Sequence, residues 1–203
     1  MRIKTETKRQ AIINVARQAF DEAGFEATSM SGIAARLGGS KGTLYSYFAS
    51  KEELFVAVVR QIGESHMQTI FSGLDPQQDL QSSLQRFGER MLGAICLPEI
   101  IHAYRNIMAE SGKSEVGRLF LASGPQEGKR QVVAYLQACM DLGKLQRADS
   151  AVAAEHLIAL LKSEVHEPLL FGARAPFSAA EIKAIVARAL GAFLAAYGAK
   201  PNS

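Results

Sequence analysis

An all-α fold of about nine helices is predicted for this chain of 203 residues by three observations. Apolar residues recur at i, i+3, i+4 and i+7 through most of the chain. Ala and Leu are abundant, β-branched clusters are few and Trp is absent, a composition that favours helix over strand. Breakers of the Gly, Pro and Ser type then cut the chain at helix-length intervals.

In the first segment Ile12, Ala16, Ala19, Phe20 and Ala23 share a face, and Gly24 stops it. A short second segment opens at Thr28 or Ser29, places Met30, Ile33, Ala34 and Leu37 on one side, and ends at Gly38-Gly39. Ser40 caps a third, very short helix whose inward pair is Leu44 and Phe48. Ser50 and Glu53 have capping-box spacing, and Leu54, Phe55, Val58, Val59 and Ile62 then drive a long fourth helix to about Ile70. Asp75 is suited to cap the next helix, with Pro76 in its first turn. Breaks at Leu97-Pro98, Ser111-Gly112 and Ser123-Gly124-Pro125 divide the middle of the chain. Two longer helices close it, from about Ser150 to Phe171 and from Ser178 to Tyr197. The last has a Ser178/Glu181 capping box and an apolar stripe through Ile182, Ile185, Val186, Ala189, Leu190, Phe193, Leu194 and Tyr197.

Cys96 and Cys139 have no second Cys or His at ligand spacing, so they read as structural thiols, and neither a metal nor another cofactor is expected. No apolar run is long enough to span a bilayer, and a cytoplasmic setting without a membrane partner is expected. The segment from Met1 to Arg60 holds nine Lys/Arg against six Asp/Glu, so the whole net charge of +3 lies there. Between Ala27 and Lys51 no acid interrupts Arg36, Lys41 and Lys51. That field suits a polyanion, although charge alone does not separate such a face from a merely solvated one.

Three helices with a glycine turn between the second and third have the layout of a helix-turn-helix. With Leu44 and Phe48 packed inward, Gly42 and Ser46 point directly away and Thr43 and Tyr45 lie to either side. Small residues on that crest let the backbone approach base edges. Lys41 can reach guanine acceptors, and Thr43 can meet a thymine methyl or a phosphate. The hydroxyls of Tyr45 and Tyr47 are long enough to reach flanking phosphates. Amides at the helix starts near Thr28/Ser29 and Ser50/Lys51 add partial positive charge.

The run from Thr28 to Leu54, with its Lys-Gly-Thr-Leu-Tyr-Ser-Tyr-Phe core at 41–48 and Ser-Lys-Glu-Glu-Leu at 50–54, resembles the signature of the TetR/AcrR family of regulators. Gly39 departs from that pattern, where Val is usual, and so does Gly32, where a less flexible residue is usual; a mid-helix Gly costs roughly 1 kcal/mol. The resemblance implies DNA contacts by Thr28, Lys41, Gly42, Thr43, Tyr45, Tyr47 and Lys51, and Ser29 and Ser40, at the helix starts, complete the candidate DNA-binding set. It divides the chain into a DNA-binding domain at 1–52 and an effector-binding and dimerisation domain at 53–203. Tyr104–Glu110, Leu119–Pro125 and Ala153–Leu157 are similar to the C-terminal domain of AefR-type members.

The same resemblance implies a homodimer joined through the last two helices, with Leu157, Leu161, Ile185, Leu190 and Phe193 as interface candidates. It also implies a cavity among the middle helices for a largely apolar small-molecule effector. Phe87, Met91, Ile95, Tyr104, Met108, Phe120, Tyr135 and Met140 are its candidate lining, and His102, His156 and His166 could add polar anchors. The implied function is a ligand-responsive regulator, a repressor released from a palindromic operator on double-stranded DNA. The alternative is a helical sensor or adaptor that keeps the helix-turn-helix only for packing. An enzyme finds little support: Gly112-Lys113-Ser114 resembles the end of a phosphate-binding loop, but Ile107 stands where that loop needs Gly.

Overall fold

The structure is a computed structural model that describes residues 5–122 and 124–199. Among them are eleven helices and no strand. They are α1 Glu6–Ala27, α2 Met30–Arg36, α3 Lys41–Tyr47, α4 Lys51–Phe71, α5 Leu80–Ile95, α6 Pro98–Ser111, α7 Val116–Ala122, α8 Gly124–Asp141, α9 Ser150–Lys162, α10 His166–Leu170 and α11 Ala179–Tyr197. None is long and apolar enough to cross a membrane. Of the expected break at Ser123-Gly124-Pro125, Ser123 lies outside the described residues.

Three local departures from the expected elements have physical causes. The helix expected from Ser150 to Phe171 is two helices, α9 and α10. Pro168 has no N–H for the Glu164 carbonyl and its ring would clash with it. The chain therefore leaves the helix at residues 163–165 and restarts at His166, which puts Pro168 in a first turn where no N–H is required. Asp75 accepts from the Gln77 N–H at 2.9 Å and closes a turn, whereas the cap of α5 is Asp79, which accepts from Ser82 N–H at 2.8 Å. Gly24 does break the helical path of α1, but one more turn follows it and carries Phe25 into the core.

Packing divides the chain into two compact units, Met1–Glu64 with His102–Gly124, and Ser65–Ile101 with Pro125–Ser203. This is a division by contact, distinct from the division by role expected at residue 52. The core of the first unit joins Ile12, Ile13 and Ala16 of α1, Ile33 of α2, Leu44 of α3 and Leu54, Val58 and Val59 of α4. Phe20, Phe25 and Phe55 meet there with centroids 5.0–5.9 Å apart. Ile107 of α6 and Val116 and Phe120 of α7 complete it.

In the second unit α11 lies against both α5 and α9. Its stripe of Ile182, Ile185, Val186, Ala189, Leu190 and Phe193 is buried, and Ser178 and Glu181 form the capping box that starts it. Gly88 permits the close approach: a Cβ there would stand 2.7 Å from Val186 Cγ1 and 2.9 Å from Leu161 Cδ2.

The turn between α2 and α3 is a Schellman motif. Gly38 N–H bonds the Ala35 carbonyl and Gly39 N–H the Ala34 carbonyl, both at 3.1 Å. Gly38 sits at φ 66°, a conformation L side chains resist, whereas Gly39 does not share that positive φ and a Cβ on it would meet only Leu37 Cδ2 at 3.8 Å. Gly38→Ala is therefore expected to lower stability by about 1–2 kcal/mol. Gly39→Ala should leave it unchanged or raise it by up to about 1 kcal/mol. Urea unfolding of the two variants checks this; equal losses would mean the turn is not built this way.

Candidate nucleic-acid interface

The rotation of α3 about its axis is set by Leu44 and Phe48, 0% and 1% exposed. Lys41, Gly42, Tyr45 and Ser46 are consequently exposed, with Thr43 and Tyr47 half-buried. The start of the helix is held by Ser40, whose Oγ accepts from the Thr43 N–H at 3.1 Å and shares a hydrogen bond with Thr43 Oγ1 at 2.9 Å. Ser46 donates to the Thr43 carbonyl at 2.7 Å. The outward side is therefore a low ridge of glycine, serine and threonine. Lys41 stands at its head, the ammonium 5.7 Å from the Tyr45 ring centroid. Ser29 caps α2 in the same manner, accepting from Gly32 N–H at 3.1 Å, and is exposed.

Three of the residues expected to meet DNA have other engagements. Thr28 is 7% exposed, and its hydroxyl is directed to the carbonyls of Gly24 at 2.7 Å and Ala19 at 3.1 Å. It ties down the end of α1, so a phosphate contact from that hydroxyl is not available in this arrangement. The Lys51 ammonium donates to the Phe25 and Glu26 carbonyls at 2.8 and 3.4 Å and lies 4.1 Å from the Phe25 ring centroid. It supplies donors at the end of α1, where the Phe25 carbonyl also accepts from the Thr28 N–H at 3.3 Å. What Lys51 offers outward is its backbone amide in the first turn of α4. Tyr47 accepts from the Thr5 N–H at 3.1 Å, which links the cap of α1 to the end of α3 and leaves the phenol proton for another acceptor.

Arg36, whose neighbours in sequence include no acid, pairs with Glu22 of α1 at 2.6 Å. The basic field is thus weaker than the linear count suggests, and Lys41 is its main outward charge. The Phe20–Phe25–Phe55 cluster under Lys51 was not anticipated as a unit. Its only sequence signal is three aromatic residues beside the breaks at Gly24 and Ser50.

The interface and cavity candidates need correction. Leu157, Leu161, Ile185, Leu190 and Phe193 are all at most 3% exposed within the single chain, so they build its core and cannot meet a partner. The outward face of α11 is instead Ala180, Ala184, Ala187, Arg188, Gly191 and Ala195. Phe87, Met91, Tyr135 and Met140 lie in the core of the second unit, with Ile95 packed against it. Phe120 and Tyr104 belong to the first, their ring centroids 5.4 Å apart, edge to face. Met108 is 55% exposed, because α6 turns Ala103, Ile107 and Glu110 inward; it is not a lining residue of either core. His102 and His156 are exposed, and His156 Nδ1 hydrogen-bonds the Tyr197 hydroxyl at 2.6 Å. Burial, together with the nearby Lys162 charge, lowers the pKa of His166.

Residues 82–199 match the family model for the C-terminal domain of AefR-like transcriptional repressors, and residues 12–58 match that for bacterial regulatory proteins of the tetR family. The HTH-type transcriptional regulator UidR of Escherichia coli (strain K12) is 41% identical over 61 residues, 30% of this chain and 31% of that protein. The chain thus matches less than a third of the length of that curated relative. Among solved structures, the flavonoid-responsive regulator FrrA is 29% identical with a TM-score of 0.82, covering 97% of this chain and 100% of its own. A TetR family transcriptional regulator from Pseudomonas syringae pv. tomato str. DC3000 is also 29% identical, with a TM-score of 0.68, covering 98% and 100%.

The inward position of the Lys51 ammonium has a measurable consequence. Lys51→Met keeps the stem but leaves the Glu26 carbonyl without its donor and the Phe25 carbonyl with only the Thr28 N–H, and a loss of roughly 1–2 kcal/mol in urea unfolding is expected. If stability is unchanged while the salt slope of DNA binding falls by about one, the ammonium faces phosphate instead.

Proposed function

Because the chain belongs to the TetR family of bacterial transcriptional regulators, with an AefR-like C-terminal domain, we propose that it is a homodimeric repressor that leaves its operator when a small molecule binds. The observation that carries this reading is the exposed Gly42/Ser46 ridge of α3 standing over the buried Leu44 and Phe48. A ridge without bulky side chains admits the backbone to the major groove. Lys41 and Thr43 then read base edges or phosphate, and Ser29, Ser40, Tyr45, Tyr47 and the first amides of α4 hold the flanking phosphates. Two copies present two α3 helices roughly 34 Å apart to a near-palindromic site. The chain acts in the cytoplasm, where its DNA is, and carries out no catalysis.

The dimer forms on the outward faces of α9 and α11. Val152 is 46% exposed on α9, and the Ala/Gly crest of α11 lets a second helix pair approach closely. The effector is largely apolar and carries rings, in keeping with a flavonoid-responsive neighbour of the same fold. Phe87, Met91, Ile95, Tyr135 and Met140 of the second unit are the residues available to it. Helix α4, which has residues in both units, carries the response, and a coupling of about 1–3 kcal/mol suffices.

Gel shift with the DNA upstream of the chain's own gene tests the regulator reading. The chain should retard that DNA in excess competitor, and Lys41→Ala should weaken the complex and reduce its salt slope by about one. Retardation that competitor abolishes would favour the adaptor reading. The dimer has its own test. A Cβ added at Gly191 meets nothing within 4 Å in the protomer and the position is exposed, so Gly191→Arg should fold normally yet elute as a monomer and lose operator binding. A variant that remains dimeric would remove α11 from the interface.

A further inference from the structure

Among the described residues of the second unit, Tyr135 alone has a buried side-chain polar atom without a hydrogen-bond partner. Tyr135 is 4% exposed and lies on the face of α8 that also carries Gly128, Val132 and Cys139. Its polar neighbours are the Ser83 hydroxyl and the Cys139 thiol, both near enough to act on its proton affinity, yet neither meets it at the distance and angle of a hydrogen bond. Ser83 already accepts from Arg86 Nη2 at 3.3 Å. The rest of the cluster is apolar and soft: Phe71 and Phe87 with centroids 5.5 Å apart, and Met91 and Met140.

A buried phenol that gives up hydration without gaining an acceptor is worse placed than phenylalanine of the same shape. The group makes physical sense here if the acceptor comes from outside the chain. Burial also raises its pKa well above the ordinary 10, so it remains a neutral donor. Among the described residues, Ser83 is the only buried polar or charged side chain besides Tyr135 in this core, and the cation that reaches it, Arg86, is itself exposed. A carboxylate or phosphate would have to draw the exposed Arg86 inward beyond Ser83 to be neutralised, whereas a carbonyl, ether or phenol oxygen needs only the one donor.

We propose that Tyr135 is the polar anchor of an effector site in the second unit, donating its hydroxyl proton to one uncharged oxygen on a ring-bearing apolar molecule. Met91 and Met140 are unbranched and can repack around a guest of that kind. The inference rests on the reading of the chain as a ligand-responsive regulator and specifies the chemistry of its ligand.

Three probes of one shape test it by calorimetry with the full chain: 2-acetylnaphthalene, 2-ethylnaphthalene and 2-naphthoate. The ketone should bind about tenfold or more tighter than the hydrocarbon and the carboxylate, since a site built around a donor rejects analogues that lack its acceptor. Tyr135→Phe should erase that preference, leave the hydrocarbon's affinity unchanged, and melt at or above the parent's temperature. A preference that survives Tyr135→Phe, or no binding of any probe, overturns the proposal. So does a lower melting temperature in the variant, because the hydroxyl would then have a partner within the folded protein or its water. The operator gel shift, run without probe, separates the two readings. A parent chain that ignores its DNA but prefers the ketone through Tyr135 refutes the regulator and keeps the site.

Discussion

The functional surface depends on how one very short helix is held. A helix of seven residues has too few internal hydrogen bonds to persist alone, so α3 exists because Ser40 caps its start and because Leu44 and Phe48 are buried beneath it. The same burial sets its rotation. Each residue advances the helix by about 100°, so fixing two inward positions one turn apart leaves Gly42 and Ser46 no direction but outward. A polar residue at either buried position would remove the packing that creates the helix and the orientation that makes it useful.

Residues of one chemical type divide between two tasks in this region. Lys41 and Lys51 are both lysines on a basic stretch, yet one is exposed beside a tyrosine ring and the other closes the end of α1. Thr28 and Thr43 differ in the same way. The deciding factor is the supply of unsatisfied carbonyls. Gly24 interrupts the helical bonding of α1, and the groups freed there find Thr28 and Lys51, while the aromatic cluster of Phe20, Phe25 and Phe55 keeps α1 and α4 close enough for the lysine to reach. An ammonium used in this way supports the platform beneath the ridge and contributes little to its outward charge.

In the second unit the helices approach closely enough that Gly88 leaves no space for a methyl group. That packing consumes the apolar stripe of α11 within one protomer and leaves an Ala/Gly crest outside. Apart from Arg188, which pairs with Glu164, such a crest is nearly smooth. Among the described residues, the interior is apolar except at Ser83 and Tyr135. A ligand entering it would be selected by shape and by one hydrogen bond.

The helical class, the capped starts of α2, α3 and α11 and the inward pair of α3 were legible in the chain, because each follows from spacing over a few residues and from side chains that bond their own neighbours. The break before Pro168 is written in the chain too, since its missing N–H outweighs the apolar run around it. What the sequence could not contain was the outcome of competition between distant groups. Only the tertiary structure decided that Glu22 would neutralise Arg36, that the Phe25 carbonyl would take Lys51, and that the strongest stripe on α11 would be spent within the protomer. An apolar stripe states that a face is buried but not against what, and a charge states its sign but not its partner; both are settled by which surfaces the folded backbone brings within reach.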